Sequence, residues 1–212
     1  MPRILIADDH AVLRTGLIRI LADQIPTAQF GEASTTAAAT ESLSTEVWDV
    51  LVLDIFMPGR GGLDLLHEVR RSHPDLPVLV LSSAPEEQMA VRVLRAGAHG
   101  YLNKQAAPEE LVTAVRRLLA GGRYVSQAVA ESLAADLGDT SRTPHERLSD
   151  REYQVLLMLL EGKSIKQIAQ ELSLSAKTVS TFHTRIWEKL GVRGDIDLVR
   201  YALEHGLGGK TA

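Results

Sequence analysis

The stretch Val50-Leu-Val-Leu-Asp54 decides the fold that this sequence is expected to adopt. Four consecutive apolar residues run without alternation and stop at a carboxylate. Such a run is typical of a strand that is buried on both faces, as in parallel sheets covered by helices. In open sheets of this kind, ligands bind outside the carboxyl ends of the strands. Asp54 is therefore predicted to lie at a binding site.

Other apolar runs in the first half of the chain also stop at polar side chains. The runs and the polar residues after them are Ile4–Ala7 with Asp8 and Asp9, Val78–Leu81 with Ser82, and Tyr101-Leu102 with Lys104. Because parallel strands end at the same edge of their sheet, these side chains are predicted to converge with Asp54. Three acids, a hydroxyl and an amine in one place indicate a divalent cation and a phosphoryl group.

Strand-like and helix-like patterns alternate five times between residues 3 and 120. Strands are predicted near 3–8, 28–32, 49–54, 77–82 and 98–102, and helices near 11–24, 34–45, 62–72, 86–96 and 108–120. Five such repeats predict a five-stranded, doubly wound parallel sheet. The expected fold class is α/β followed by an all-α region.

Composition excludes several classes of protein. The chain has no cysteine, so it has no disulfide framework and no thiolate metal site. No apolar run approaches the roughly 18 residues of a membrane span. The start, Met-Pro-Arg followed by a strand pattern, does not resemble a signal peptide, so a cytoplasmic protein without a membrane partner is expected. Residues 163–193 hold six basic and two acidic residues, a local charge of +4 that favours a polyanion partner.

Three regions are predicted along the chain. Residues 1–122 form the α/β domain, which the pair Gly121-Gly122 closes. Residues 123–147 hold a connector helix near 126–137 and a polar, flexible linker from 138 to 147. Residues 148–212 show only helical periodicity and form the third region.

Serine capping signals divide the third region into four predicted helices. Ser149 and Ser164 begin capping boxes, and Ser175 precedes a longer helix over 176–190. A last helix is expected near 195–205. Two helices joined by the short turn Ser173–Ser175, with basic residues on the second, predict a helix-turn-helix.

The acidic residues fit one chemistry well. Mg²⁺ prefers oxygen ligands and usually takes one or two carboxylates plus phosphate, which Asp8, Asp9 and Asp54 can supply. Asp54 would then be the nucleophile that accepts a phosphoryl group, with Mg²⁺ and Lys104 neutralising the transferred oxygens. Phosphatases with an aspartyl nucleophile usually carry a second Asp two residues further on. That position is Phe56 here, which argues against turnover of an external substrate.

Residues 3–120 resemble the receiver domain of two-component response regulators. The resemblance rests on Asp8-Asp9, on Asp54-Ile-Phe-Met-Pro58 with Gly62, and on Lys104-Gln-Ala-Ala-Pro108. It implies that Asp54 is the phospho-acceptor and that Asp9 binds Mg²⁺ directly, Asp8 through water and Phe56 through its backbone carbonyl. It further implies that Ser82 and Tyr101 are the switch residues and that Lys104 is the phosphate partner.

The helix predicted over 176–190 has two different faces. Val179, Phe182, Ile186 and Leu190 share the face expected to pack on the domain core. The opposite face is small and polar, as a helix in the major groove of DNA requires. The residues expected to contact DNA are Lys177, Thr178, Ser180, Thr181, Thr184, Arg185 and Lys189, of which Lys177, Arg185 and Lys189 are expected at phosphates.

This region resembles the LuxR-type helix-turn-helix of the NarL/FixJ family of response regulators. The resemblance runs from Leu148-Ser-Asp-Arg-Glu152 to Glu188-Lys-Leu-Gly-Val192, and it departs at Ser180, where Lys or Arg is common, and at Phe182, where His is common. It implies that the last helix, with its stripe Leu198, Val199 and Ala202, dimerises two such domains. Core packing of that stripe is the alternative.

The sequence therefore predicts a DNA-binding transcriptional regulator that is not an enzyme. A sensor histidine kinase would phosphorylate Asp54 in a Mg²⁺-dependent step, which would unmask 176–190 and promote a homodimer on promoter DNA. RNA polymerase is a possible further partner. Two alternatives remain at this point, an enzyme that uses the acidic site and a protein-interaction module without a DNA role.

Overall fold

A computed structural model describes residues 1–57, 61–83, 86–136 and 143–207 of the chain. The chain divides into two compact units, Met1–Leu133 and Ala134–Ala212. The sequence boundaries expected at 122 and 148 lie on either side of this division. Within the described ranges, no helix has the length and apolar character needed to span a membrane.

The first unit is built on a five-stranded parallel sheet with the order β2-β1-β3-β4-β5. The strands are β1 (Arg3–Ala7), β2 (Gln29–Ala33), β3 (Val50–Asp54), β4 (Val78–Ser82) and β5 (Gly100–Asn103). The helices are α1 (Ala11–Gln24), α2 (Thr36–Thr45), α3 (Gly62–Ser72), α4 (Glu86–Arg95) and α5 (Pro108–Leu119), and α6 (Gln127–Asp136) crosses the division between the two units. The predicted doubly wound sheet is confirmed.

Burial explains why the central strands read as unbroken apolar runs. Every residue of β3 and β4 is buried, including the polar residues Asp54 and Ser82 at their ends. The strand β5 begins at Gly100, two residues later than expected, because the backbone N–H of Ala98 still bonds to the Val93 carbonyl at the end of α4.

The second unit is helical throughout its described residues. It contains α7 (Asp150–Leu160), α8 (Ile165–Glu171), α9 (Ala176–Leu190) and α10 (Asp195–Glu204). The side chains of Ser149, Ser164 and Ser175 accept hydrogen bonds from the first turns of α7, α8 and α9, as their sequence signals indicate. The turn between α8 and α9 places Ser173 in the left-handed region, with φ of 54°.

The C-terminal end of the region predicted as a flexible linker, 138–147, is ordered as a short helix in the structure. The residues of this region up to 142 lie outside the described ranges, but Pro144–Arg147 form a 3-10 helix. Glu146 accepts a hydrogen bond from the Thr143 backbone N–H, and the buried His145 lies 3.0 Å from the Tyr201 hydroxyl of α10. The polar composition that indicated a linker is here a capped turn packed on the helical unit.

Candidate acidic site and nucleic-acid interface

Strand register brings the predicted acidic residues to one edge of the sheet. Ala7 pairs with Leu53, so Asp8 and Asp54 leave β1 and β3 at the same level. Ser82 ends the neighbouring strand β4, and its carbonyl accepts the backbone N–H of Lys104 at 2.9 Å. Residues that lie up to 96 positions apart in the chain therefore meet as the sequence predicts.

Lys104 joins the two buried carboxylates. Its Nζ lies 2.7 Å from Asp54 Oδ2 and 2.8 Å from Asp8 Oδ2, while its own side chain is 10% exposed. Burial alone would lower the pKa of Lys104, but the Asp54 and Asp8 carboxylates outweigh it and raise that pKa above its usual value. Lys104 is thus held as a cation between two acids.

Asp54 stands in an environment that disfavours its charge. Burial raises the pKa of Asp54 above its usual value, and the neighbouring Asp8 adds to the rise. Lys104 and the backbone N–H of Phe56, which donates to Asp54 Oδ1 at 2.9 Å, offset this only in part. A carboxylate whose charge is poorly stabilised by its surroundings gains stability from a further cation.

The cluster of oxygen donors has the composition of a divalent-cation site. One ligand atom from each of Asp8, Asp9, His10 and Asp54 lies within 4.8 Å of the others. His10 was not predicted, although its place directly after the two acids was a visible signal. Its Nδ1 lies 2.9 Å from Asp9 Oδ1 and 3.3 Å from Asp8 Oδ1, so it borders the cluster on the exposed side.

Two further residues hold the loops of the site. Arg14 of α1 donates to the Asp8 carbonyl and to Glu32, both at 2.7 Å, and this role was not predicted from sequence. Gly62 lies so close to β3 that an added Cβ would stand 2.4 Å from the Asp54 carbonyl oxygen and 2.6 Å from the Ile55 Cα. Only a residue without a side chain fits this approach.

The predicted switch residues Ser82 and Tyr101 are both buried, and Tyr101 is only 1% exposed. The predicted switch requires an outward and an inward position for Tyr101, and the structure contains the inward one. The strand β5 that carries it also binds the segment after α5. The Tyr101 N–H donates to the Tyr124 carbonyl, and the Tyr124 N–H donates to the His99 carbonyl.

The helix α9 shows the two faces that its sequence predicts. Val179, Ile186 and Leu190 are buried and Phe182 is half-buried. The opposite side is solvent-exposed, and its exposed members are Lys177, Ser180, Thr181, Thr184, Arg185, Glu188 and Lys189. Thr178 is half-buried, and its hydroxyl lies 2.8 Å from that of the capping residue Ser175.

The exposed hydroxyls of α9 are bonded to their own helix. Ser180, Thr181 and Thr184 donate to the carbonyls four residues earlier, at 2.9, 2.9 and 3.1 Å. Each hydroxyl keeps its lone pairs for an outside donor and can rotate away from the backbone. The face is small and hydrogen-bonding, as base-edge contacts require.

The last helix differs from the predicted stripe. Leu198 and Ala202 are buried in the core of the helical unit, and only Val199 of the stripe is exposed. The exposed apolar residues of α10 are Ile196, Val199 and Leu203, at 87%, 48% and 74%. Positions three and four residues apart share one helix face, so these three form the outward apolar stripe.

Two protein families match the chain. The family described as "Response regulator receiver domain" matches residues 4–116, and the family "Bacterial regulatory proteins, luxR family" matches residues 146–202. Response regulator UvrY of Escherichia coli K12 is 37% identical over 209 residues, covering 98% of this chain and 96% of that protein. Response regulator GacA of Pseudomonas aeruginosa is 37% identical and covers 98% of each.

Solved structures support the same assignment. RcsB of Salmonella enterica serovar Typhimurium, bound to promoter P1flhDC in the presence of the phosphomimetic BeF3⁻, matches with a TM-score of 0.68 and 31% identity over 94% of this chain and 97% of that one. The fold and the acidic site define a receiver unit followed by a LuxR-type helix-turn-helix. The chain belongs to the NarL/FixJ family of two-component response regulators. It is a phosphorylation-dependent, DNA-binding transcription regulator, so the alternatives of an enzyme and of a module without a DNA role are set aside.

Proposed function

We propose that Asp54 accepts a phosphoryl group from a sensor histidine kinase and that α9 and α10 act on promoter DNA in response. The observation that carries the proposal is the pair of buried carboxylates, Asp8 and Asp54, that share the ammonium group of Lys104. In the transfer, an Asp54 carboxylate oxygen bonds to phosphorus as the phosphorus–nitrogen bond to the kinase histidine breaks. Lys104 then neutralises the oxygens that arrive.

The donor set fits Mg²⁺. Asp8, Asp9 and Asp54 supply carboxylate oxygens, and we assign the Phe56 carbonyl as a further ligand. Bound Mg²⁺ supplies charge neutralisation at the transferring phosphoryl group. The N–H of Phe56 bonds to Asp54 Oδ1, which holds the residue next to the acceptor carboxylate.

Phosphorylation would act as a local change of charge. It adds roughly 1.5 to 2 negative charges and three strong acceptors at Asp54. The Ser82 hydroxyl, at the end of the adjacent strand, would donate to these oxygens, and this would favour the inward position in which the buried Tyr101 already lies. Since the backbone of Tyr101 is bonded to Tyr124, we infer that a movement of β5 passes into the segment that leads to α6.

The output is proposed to be a DNA-bound homodimer. The helix α9 would enter the major groove, with Ser180, Thr181 and Thr184 facing base edges and Lys177 and Arg185 facing phosphates. Thr178, at the start of α9, would add a hydroxyl contact. The apolar stripe of α10, with Ile196, Val199 and Leu203 exposed, is the surface on which two helical units would pair. Phosphorylation would promote this pairing and unmask α9, and the dimer would act on promoters in the cytoplasm, with RNA polymerase as a further partner.

The acceptor assignment is tested by phosphorylation with a small donor. The protein is incubated with Mg²⁺ and acetyl phosphate, and the intact mass of wild type, Asp54→Ala and the exposed-acid control Asp23→Ala is measured. Wild type and the control are expected to gain one phosphoryl group, and Asp54→Ala none. A phosphoryl gain that persists in Asp54→Ala would refute the assignment, as would the absence of a gain in wild type.

A further inference from the structure

We propose that Lys189 is a positioning residue of the recognition helix rather than a contact to DNA phosphate. Its side chain fixes the end of α9 to the start of α7 through Glu152. This inference rests on the proposed function of α9 as the helix that enters the groove. It changes the role of one of the three cations that the sequence assigned to phosphates.

The contact joins two helices that are 37 residues apart in the chain. Lys189 Nζ donates to Glu152 Oε2 at 2.6 Å, and Glu152 is only 3% exposed. The same Oε2 accepts the backbone N–H of Ser149 at 2.7 Å, which completes the capping box of α7. The Arg147 carbonyl lies 3.5 Å from the same ammonium. The Lys189 side chain is 39% exposed, but its ammonium is bonded at the N-terminus of α7 to a buried carboxylate.

Electrostatics keeps the lysine at this place. Removing the cation from the buried Glu152 carboxylate would cost more free energy than removing it from an acid at the surface, because a buried charge without a partner is poorly solvated. Moving the ammonium to a DNA phosphate would require this separation. Binding to phosphate would therefore gain little, since one ion pair would replace another.

The other two cations of α9 have a different setting. Lys177 and Arg185 are exposed, and neither forms an ion pair with another described residue. They can reach a phosphate without leaving a buried acid behind. Lys177 and Arg185 thus provide matched controls on the same helix.

The geometry gives Lys189 a defined consequence for recognition. The helix α9 packs against α7, and the pair holds the last turn of α9 to the first turn of α7. Loosening this end tilts the face that carries Ser180, Thr181 and Thr184 relative to the groove. Base-edge contacts depend on that orientation, whereas contacts to the phosphates tolerate it.

The two roles predict different binding data. A phosphate contact weakens binding uniformly across sequences and lowers the salt slope by about one when it is removed. A positioning residue lowers binding to a selected sequence more than to random DNA, and it leaves the slope unchanged. Removing Glu152 should then resemble removing Lys189, although Glu152 cannot contact phosphate.

The experiment uses the full-length, acetyl phosphate-treated protein and two duplexes of about 30 base pairs, long enough for two half-sites one helical turn apart. One duplex is enriched by the wild-type protein from a randomised library, and the other has mixed sequence. Affinity is measured against salt concentration for wild type, Lys189→Met, Glu152→Gln, their double variant, Lys189→Arg, and the control Lys177→Met. Native-state hydrogen exchange of α7 and α9 reports folding in each variant.

We expect Lys189→Met and Glu152→Gln each to lose about tenfold in affinity for the enriched duplex, with little change on the mixed one and no change of slope. The double variant should lose no more than either single one, and Lys189→Arg should keep most of the affinity. Lys177→Met should instead lose affinity on both duplexes and lower the slope.

Two results would overturn the positioning role. One is a Lys189→Met variant that behaves like Lys177→Met while Glu152→Gln binds as wild type or more tightly. The other is a loss in Lys189→Met that Lys189→Arg does not restore although α9 stays folded. If wild type and Lys177→Met show the same salt slope, or wild type enriches no duplex, the DNA contacts proposed for α9 fail as well.

Discussion

Asp54 and Glu152 are both buried acids paired with a lysine, yet the protein treats them in opposite ways. Asp54 lies 2.7 Å from Lys104 and Glu152 lies 2.6 Å from Lys189. The pKa of Asp54 is nevertheless raised, since burial outweighs Lys104, and the pKa of Glu152 is lowered, since Lys189 and Ser149 outweigh burial. The charged carboxylate of a lysine–acid pair is thus disfavoured in the first unit and stabilised in the second.

The difference lies in the second acid beside Asp54, because each of the two carboxylates accepts hydrogen bonds from one lysine and one backbone N–H. Lys104 is divided between Asp54 and Asp8, and the second carboxylate repels the first. Glu152 has Lys189 and the capping N–H of Ser149 without a second acid among the causes of its shift. Perturbed acids cluster at functional sites because reactivity requires a group that its surroundings do not fully stabilise. Asp54 has the reactive setting and Glu152 the structural one.

Removing the lysine from each pair is expected to give the largest effect. Lys104→Met leaves two buried carboxylates without their cation and should lower the free energy of unfolding of the first unit by roughly 3–5 kcal/mol. Mg²⁺ should restore part of this loss if it binds the folded acidic cluster as proposed. Urea unfolding with and without Mg²⁺, followed by hydrogen exchange of β3, measures both effects.

Lys189→Met is the counterpart, with hydrogen exchange followed in α7. It should cost less, since Ser149 still bonds to Glu152, and Mg²⁺ should restore nothing. An equal loss of unfolding free energy in both variants, or an equal response to Mg²⁺, would show that the two lysine–acid pairs have the same energetic role. Arg19→Met, on the exposed side of α1, serves as the neutral control.

Gly62→Ala should disturb the reactive acid alone. The added Cβ would press on the Asp54 carbonyl and on the backbone of Ile55, at a cost of roughly 1–3 kcal/mol for overpacking. Phosphorylation by acetyl phosphate should slow because the acceptor loop is displaced. Gly16→Ala, where an added Cβ meets nothing within 4 Å, is the matched control. A normal phosphorylation rate in Gly62→Ala would mean that this close approach does not position Asp54.

Ser175→Ala tests the recognition helix without touching either acid. The Ser175 hydroxyl accepts the Thr178 N–H at 3.0 Å, and losing an N-cap of this kind costs about 1 kcal/mol. Thermal unfolding and hydrogen exchange of the first turn of α9 measure the change. Phosphorylation at Asp54 should stay as in wild type, and a slower reaction would contradict the separation of the two regions.

The smallest predicted effect is a pair of opposite pH dependences. The raised pKa of Asp54 means that its charge destabilises the fold at neutral pH, and this penalty fades as pH falls through the folded-state pKa towards 3.8. The lowered pKa of Glu152 gives stability that is present above 4.5 and disappears as pH falls through its folded-state pKa. At pH 7, Asp54→Asn should therefore stabilise β3, and Glu152→Gln should destabilise α7.

Both differences should shrink as the pH is lowered. Hydrogen exchange of β3 amides in Asp54→Asn and of α7 amides in Glu152→Gln, each compared with wild type at pH 7 and at pH 4, measures the two stability differences separately. Differences of the same sign at pH 7 would contradict the opposite pKa shifts.

The acidic cluster was accessible from sequence because topology leaves little freedom. Parallel strands end at one edge, so Asp8, Asp54, Ser82 and Lys104 had to meet once the strands were recognised. The loop contacts were not accessible in the same way. The contact of Arg14 with the Asp8 carbonyl depends on the side-chain rotamer of Arg14, which the sequence does not determine. The close approach of Gly62 to β3 depends on how the loop packs in three dimensions.

Helical periodicity predicted the faces of α9 but could not settle the role of each cation. Lys177 and Lys189 both read as outward lysines, and only the packing of α7 shows that one of them has a buried partner. The stripe of α10 illustrates the same limit, since Leu198 and Ala202 turned inward and Ile196 and Leu203 outward. Periodicity gives a face to within about one residue, because 3.6 residues complete a turn.

Control of DNA binding by Asp54 is tested most directly by comparing the DNA affinity of acetyl phosphate-treated wild type with that of treated Asp54→Ala, on the duplex enriched by wild type. Treatment with Mg²⁺ present is expected to strengthen DNA binding by wild type and to leave DNA binding by Asp54→Ala unchanged. If both proteins respond equally to treatment, or neither responds, Asp54 does not control the recognition helix.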